Sequence, residues 1–135
     1  MEPNRTIIDT DILTDFLRNK KEDVTFITQL EEKKTLLSTT AINAFELYYG
    51  AYKSRQSIQT LQATKKLLER LVLLPLTPRS AQRAGHIYAE LELDGHSIGL
   101  RDTFIAAIAL TRSCSVATRN IEHFKKVKGL TVITT

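Results

Sequence analysis

Three carboxylates in this 135-residue chain stand where apolar residues would be expected. Asp9 ends the short apolar run of "IIDTDIL" (Ile7 to Leu13), with Asp11 close behind it. Glu46 lies inside "AINAFELYYGA", and Asp102 opens the most apolar helical stretch, "IGLRDTFIAAIAL". Burying an ionised carboxylate without a partner costs several kcal/mol or forces its pKa upward. No Lys or Arg stands four residues from Glu46, and Arg101 adjoins Asp102, where neighbouring helical residues point in different directions. Singly, each acid has an ordinary explanation: Asp9 or Asp102 as a helix N-cap, Glu46 on a solvent-facing stripe. Together, each beside an apolar segment, they favour one shared site. Carboxylates that converge without His or Cys are the ligand set of a hard divalent cation, Mg2+ or Mn2+.

Elements that alternate along the chain must position these acids. "RTIID" predicts a buried strand over Thr6 to Asp9, followed by a helix over Asp11 to Arg18. Val24, Ile27 and Leu30 recur at helical spacing, and a second strand covers Thr35 to Ser38. Thr39 or Thr40 can cap the next helix, whose apolar stripe is Ile42, Phe45, Tyr49 and Tyr52. A helix over Gln56 to Leu71 and the strand "VLLPL" follow. Thr77 as N-cap and Pro78 at the first position open a helix with Ala81, Ala84, Tyr88 and Leu91 on its buried side. Leu100 to Thr111 is apolar nearly all round, so it is expected to be buried. "SVAT", one or two turns over Ile121 to Lys126, and "LTVIT" complete the chain. Short apolar strands between helices indicate α/β architecture, a parallel sheet of four to five strands covered on both faces. Ligands in such sheets bind beyond the carboxyl ends of the strands, where Asp9 falls.

Composition narrows the partners. With 42% hydrophobic residues, 135 residues suffice for one ordinary core, and one domain over residues 1–135 is expected. The single cysteine, Cys114, permits neither an intramolecular disulfide nor a cysteine-rich zinc site. The "MEPNRT" start lacks the apolar region of a signal peptide and no apolar run reaches a membrane span, so a cytoplasmic location is expected. A formal charge of +4 suits a polyanionic partner without demanding one.

In order and spacing, "IIDTDIL", "AINAFELYYGA", "DTFIAAIAL" and "VATRNIEHFKKVKGLTVI" resemble the PIN-domain ribonucleases, specifically the VapC-type toxins of type II toxin–antitoxin pairs. The resemblance runs over nearly the whole chain. It implies a three-layer α/β/α fold, a homodimer, and Mg2+- or Mn2+-dependent endonucleolytic cleavage of RNA, inhibited by a cognate antitoxin. Asp9, Glu46 and Asp102 match the family's first three acids and would be the catalytic metal ligands. The fourth acidic position falls on Asn120, a departure that bears on how a second metal is held. Asp11 occupies a place that is often Asn or Asp, and Thr10 and Thr118 would be supporting hydroxyls. Arg101 and Arg119 flank acidic positions and are candidates for RNA phosphate contacts.

Other features read as ordinary surface. The basic clusters Arg18 to Lys21, Lys33–Lys34, Lys65–Lys66 and Lys125 to Lys128 are expected to be solvated faces, and His86, His96 and His123 lack helical metal-site spacing. Two alternative functions remain open at this point. "DTDIL" contains the Asp-x-Asp of haloacid-dehalogenase-like phosphohydrolases, but Leu13 and "DGHSIGLRD" match that class poorly. A metal-free PIN-like domain that only binds RNA or protein is kept open by Asn120.

Overall fold

The computed structural model describes residues 4–134. Part of the "MEPNRT" start lies outside the described residues. Among them, the elements run β1 (Arg5–Ile8), α1 (Thr10–Leu17), α2 (Lys21–Glu32), β2 (Leu36–Thr40), α3 (Ala41–Lys53), α4 (Ser57–Glu69), β3 (Val72–Leu74), α5 (Pro78–Leu93), α6 (Leu100–Thr111), β4 (Ser115–Ala117), α7 (Ile121–Phe124) and β5 (Val132–Ile133). The five strands form one sheet in the order β3-β2-β1-β4-β5, and every pairing is parallel. The expected α/β class and parallel sheet are therefore observed.

Alternate strand residues feed two separate cores, as the pleat requires. Ile7 and Val116 join a core with Ala84, Ile87, Ile105, Ile108 and Phe124, contributed by α5, α6 and α7. Ile8 and Ala117 join the other, with Ile12, Leu13, Ile27, Leu47 and Leu67 from α1 to α4. The sheet is thus sandwiched between two helical layers. The chain runs outward from β1 to β2 and β3, then returns to place β4 on the other side of β1. The sheet's switch point therefore lies between β1 and β4, where the crevice of such folds opens.

Strong local signals set the helix starts. Thr40 caps α3 in a reciprocal box with Asn43, and Thr77 caps α5 in the same way with Ser80, followed by Pro78. α6 spans the residues expected from its composition, with Ile105, Ala106, Ala107, Ile108 and Ala109 fully buried.

Two helical faces differ from expectation. Phe45, Tyr49 and Tyr52 of α3 are exposed, at 66%, 55% and 70%, while Asn43, Ala44, Leu47 and Ala51 face inward. Small residues let α3 lie close to its neighbours and leave the aromatic stripe outside, where Phe45 stacks on Tyr49. On α5 the buried positions are Ser80, Ala84, Ile87 and Leu91. Ala81 is exposed and Tyr88 only partly covered, because the capping box turns Ser80 inward and fixes the phase of the helix.

Candidate active site

Asp9 is the first residue beyond β1, and it serves the fold and the cleft at once. Its backbone N–H still donates to Ala117 at 2.9 Å, and its Oδ1 caps α1 by accepting from Thr10 N–H at 2.8 Å. The Asp9 side chain is nearly fully buried, and donors meet both of its oxygens. Thr118, just past β4, donates its hydroxyl to Asp9 Oδ2 at 2.7 Å. Asn43 Nδ2 donates to Asp9 Oδ1 at 3.0 Å and to Thr10 Oγ1 at 2.9 Å.

Glu46 lies one helical turn beyond Asn43, so α3 aims both at Asp9. Thr10 Oγ1 donates to Glu46 Oε1 at 2.5 Å. Asp102 sits in the first turn of α6, whose N-cap is Gly99 at φ 85°, a left-handed conformation open to glycine. Asp102 Oδ2 accepts from Asn120 Nδ2 at 2.8 Å and lies 2.8 Å from His123 Nδ1. The Asn120 N–H in turn donates to Thr118 Oγ1 at 2.9 Å, linking the two halves of the site.

Arg101 stands at the centre. Its Nη2 donates to Asp9 Oδ1 at 2.6 Å and to Glu46 Oε1 at 2.8 Å, its Nε to Glu46 Oε2 at 2.7 Å, and its Nη1 to Asp102 Oδ1 at 2.5 Å. The acids are therefore paired by a salt bridge. Arg101 and Asp102 leave the helix in different directions, but the long arginine stem curls back across the first turn. Burial alone would lower the Arg101 pKa; its hydrogen bonds to Glu46, Asp9 and Asp102 and the charge of Asp9 outweigh it, and the guanidinium is held more firmly protonated than usual.

The donor set fits a hard divalent cation in kind, since three carboxylates meet beside the Thr10 hydroxyl. In placement it fits a guanidinium. Among the described residues, no group of three or more His, Cys, Asp or Glu side chains is arranged to hold a metal ion. The acids are spread around Arg101 rather than closed on one point.

The remaining candidates take distinct places. Asp11 is exposed on the rim of an open cleft of about 460 Å³, lined also by Asp9, Thr10, Glu46, Arg101, Arg119 and Asn120. Arg119, expected to be free for phosphate, donates to Asp15 at 2.6 Å and to buried Asp23. A larger concavity of about 980 Å³ opens at the other end of the sheet, around Arg5 and Cys114, away from the acids. Sequence reasoning misses Asn43 and takes His123 for ordinary surface. Asn43 stands three residues before Glu46 on α3 and His123 three after Asn120, the N-cap of α7, a spacing that shares a face and could have served as a signal.

Known proteins with the same architecture place the chain. A family model described as the PIN domain matches residues 6–130. The tRNA(fMet)-specific endonuclease VapC of Shigella flexneri is 31% identical over 124 residues, covering 92% of each chain. Two solved structures superpose over nearly the full length. The DNA-bound VapBC of Salmonella typhimurium has a TM-score of 0.85 at 27% identity and 98% coverage of each chain. A toxin–antitoxin complex from Klebsiella pneumoniae has a TM-score of 0.75 at 25% identity and 96% coverage of each. No helix among the described residues is long and apolar enough to cross a membrane. With its family model spanning nearly all of the sheet and both helical layers, the chain belongs to the PIN-domain family, among its VapC members.

Proposed function

We propose that this protein is an endoribonuclease, the toxin of a toxin–antitoxin pair, hydrolysing RNA phosphodiester bonds with Asp9, Glu46 and Asp102 as its catalytic acids and Mg2+ or Mn2+ as cofactor. The observation that carries it is the meeting of three carboxylates, from well-separated segments of the chain, on one cation at the switch point of a PIN-family sheet. When bound, a divalent cation supplies an activated water and positive charge against the scissile phosphate. The chain's own part is to hold the acids aimed. Thr118 and Asn43 fix Asp9, Thr10 fixes Glu46, and Asn120 with His123 fixes Asp102. Such outer partners keep ligand oxygens turned toward a shared centre. Asp11, exposed on the rim of the cleft, is placed to support a bound cation from the outer shell, while Arg119 is engaged by Asp15 and Asp23.

The test is RNA cleavage with and without EDTA. Cleavage that stops in EDTA and returns with Mg2+ or Mn2+ supports the reading; cleavage indifferent to EDTA overturns its metal dependence. The Shigella flexneri relative is named for tRNA(fMet), which makes that RNA the first substrate to assay. One observation favours a binding-only domain, namely that Arg101 already neutralises part of the acidic charge. Stable RNA binding with no cleavage under any metal would decide for it.

The partners are a cognate antitoxin and a second copy of the chain. Toxin–antitoxin complexes among the solved relatives support the first. The exposed Phe45, Tyr49 and Tyr52 support pairing, since a contiguous aromatic face marks a contact surface. Light scattering at micromolar concentration should give twice the monomer mass; a strict monomer would remove the dimer.

A further inference from the structure

Asp9 and Asp102 each turn one oxygen away from Arg101, whereas both Glu46 oxygens meet it. Asp9 Oδ2 accepts from Thr118, and Asp102 Oδ2 is engaged by Asn120 and His123. These outward oxygens meet groups that orient the carboxylates. The inward oxygens are Asp9 Oδ1, Glu46 Oε1, Glu46 Oε2 and Asp102 Oδ1, and Arg101 donates to all four. A metal ion drawing on the three acids from the centre would take its oxygens from among these same four atoms. A guanidinium is flat and spreads its donors over several ångströms, whereas Mg2+ demands oxygens at about 2.1 Å from one point. Both cannot be served at once, and the acids as they stand are set for the guanidinium.

We infer that Arg101 is a built-in counter-cation that competes with the divalent metal for the four inward carboxylate oxygens, so that the metal enters only as Arg101 swings out. This rests on the metal-dependent reading of the site. It adds that metal affinity in the free enzyme is set by an ion pair within the chain. Proton loss is no route of release, because an arginine guanidinium stays charged in proteins. Rotation is. The Arg101 side chain is 35% exposed, far more than Asp9 or Asp102, and it lies on the wall of the open cleft. Once out, its fork of donors is placed at the mouth of that cleft, where a phosphate would arrive. A phosphate that holds Arg101 outside the site favours metal entry, and by linkage the metal favours the phosphate.

Two measurements test this, one of which needs no variant. In the NMR spectrum of the wild-type protein, the Arg101 Nε–Hε signal, assigned by its absence in Arg101→Lys, should be sharp and protected without metal. It should shift and lose protection as Mg2+ is added. A signal unchanged at saturating Mg2+ overturns the inference. Calorimetric titration with Mn2+ should then show Arg101→Ala binding tighter than wild type by about tenfold or more, because the competing charge is gone. Equal affinities overturn the competition while leaving the metal site standing. Absence of Mn2+ binding in both proteins removes the metal reading itself, and the inference with it. Should Arg101→Ala fail to fold, the wild-type NMR titration decides alone.

Discussion

Two arginine-centred clusters flank the end of β4. Arg119 joins Asp15 and Asp23; Arg101 joins Asp9, Glu46 and Asp102. The two guanidinium side chains are equally exposed, at 35%, and each reaches a carboxylate that is almost wholly buried. By hydrogen bonding alone they are alike. They differ in balance. Around Arg119, Lys20 adds a second positive charge near Asp15, so two cations face two acids. Around Arg101, one guanidinium faces three acids. The balanced cluster ties α1 and α2 to the loop after β4 and asks for nothing more. The unbalanced one lies at the switch point of the sheet and still attracts a cation. Charge imbalance at a strand end, rather than burial, separates the site from the tie.

The largest test of that difference is Asp102→Asn. Asp102 gives Oδ1 to Arg101 and Oδ2 to Asn120 and His123. The neutral amide removes one of the three charges and presents an N–H donor to groups that are themselves donors. RNA cleavage should fall by about 100-fold or more while the fold is kept, because α6 is anchored by its apolar residues. Cleavage time courses beside circular dichroism check both halves. Wild-type cleavage by pure Asp102→Asn protein would remove Asp102 from the site.

Arg119→Ala acts on the other cluster and on stability. It leaves buried Asp23 without its counter-charge, which should lower unfolding free energy by about 2 kcal/mol, read from the urea midpoint. Arg119 is partly exposed, so water can fill some of the gap, and the figure lies below that of a fully buried pair. Mn2+ sharpens the contrast. It should restore thermal stability lost in Arg101→Ala, where it replaces one cation by another, and leave the loss in Arg119→Ala untouched. Rescue of both variants alike would mean that the two clusters are the same kind of thing.

Much of this is legible in the residues themselves. The alternation of short apolar strands with helices declares the parallel sheet, and three acids beside apolar segments point to the cluster that the fold brings together. α6 keeps its expected span because a stretch apolar on all sides has only one place to go. The α3 face departs from expectation because helical spacing shows that Phe45, Tyr49 and Tyr52 share a stripe, while saying nothing of whether the stripe meets the sheet or the outside. The partner of the acids escapes for a related reason. Adjacency on a helix separates Cβ directions, but Arg101 has a stem long enough to return to Asp102 and span to Asp9 and Glu46. Patterns of spacing describe where a side chain starts, and in arginine that is a poor guide to where its charge ends.

Asn120 offers a finer adjustment of the imbalance. Its Nδ2 donates to Asp102 Oδ2 at 2.8 Å, so it steadies an acid without adding charge. In the free protein the residual charge of the cluster is expected to take up one divalent ion at most. Asn120→Asp adds a fourth carboxylate and replaces that hydrogen bond by repulsion, which a cation relieves. Mn2+ affinity without RNA should rise by about tenfold, as measured by calorimetry. No gain, or two tight sites in the unmodified protein, would show that the charge count does not govern metal uptake.

The smallest expected effect lies in the balanced cluster and depends on pH. Asp15 on α1 accepts from Arg119 Nη1 at 2.6 Å and faces Lys20 Nζ at 3.4 Å. Desolvation alone would raise its carboxyl pKa. Hydrogen bonds and charges from Arg119 and Lys20 outweigh it and hold the carboxyl below its ordinary value of 3.8. A carboxyl with a depressed folded-state pKa stabilises the fold fully above its unfolded value, and that contribution is lost as pH falls through the folded value. Asp15→Asn lacks the charge at every pH. Its melting temperature should therefore lie slightly below wild type near neutrality, and the gap should close on acidification below 3.8. Added salt should narrow the same gap, since the pair faces solvent and is screened. A gap that persists unchanged through the acid limb and in high salt would assign Asp15 to packing, and Arg119 would then hold the loop after β4 through Asp23 alone.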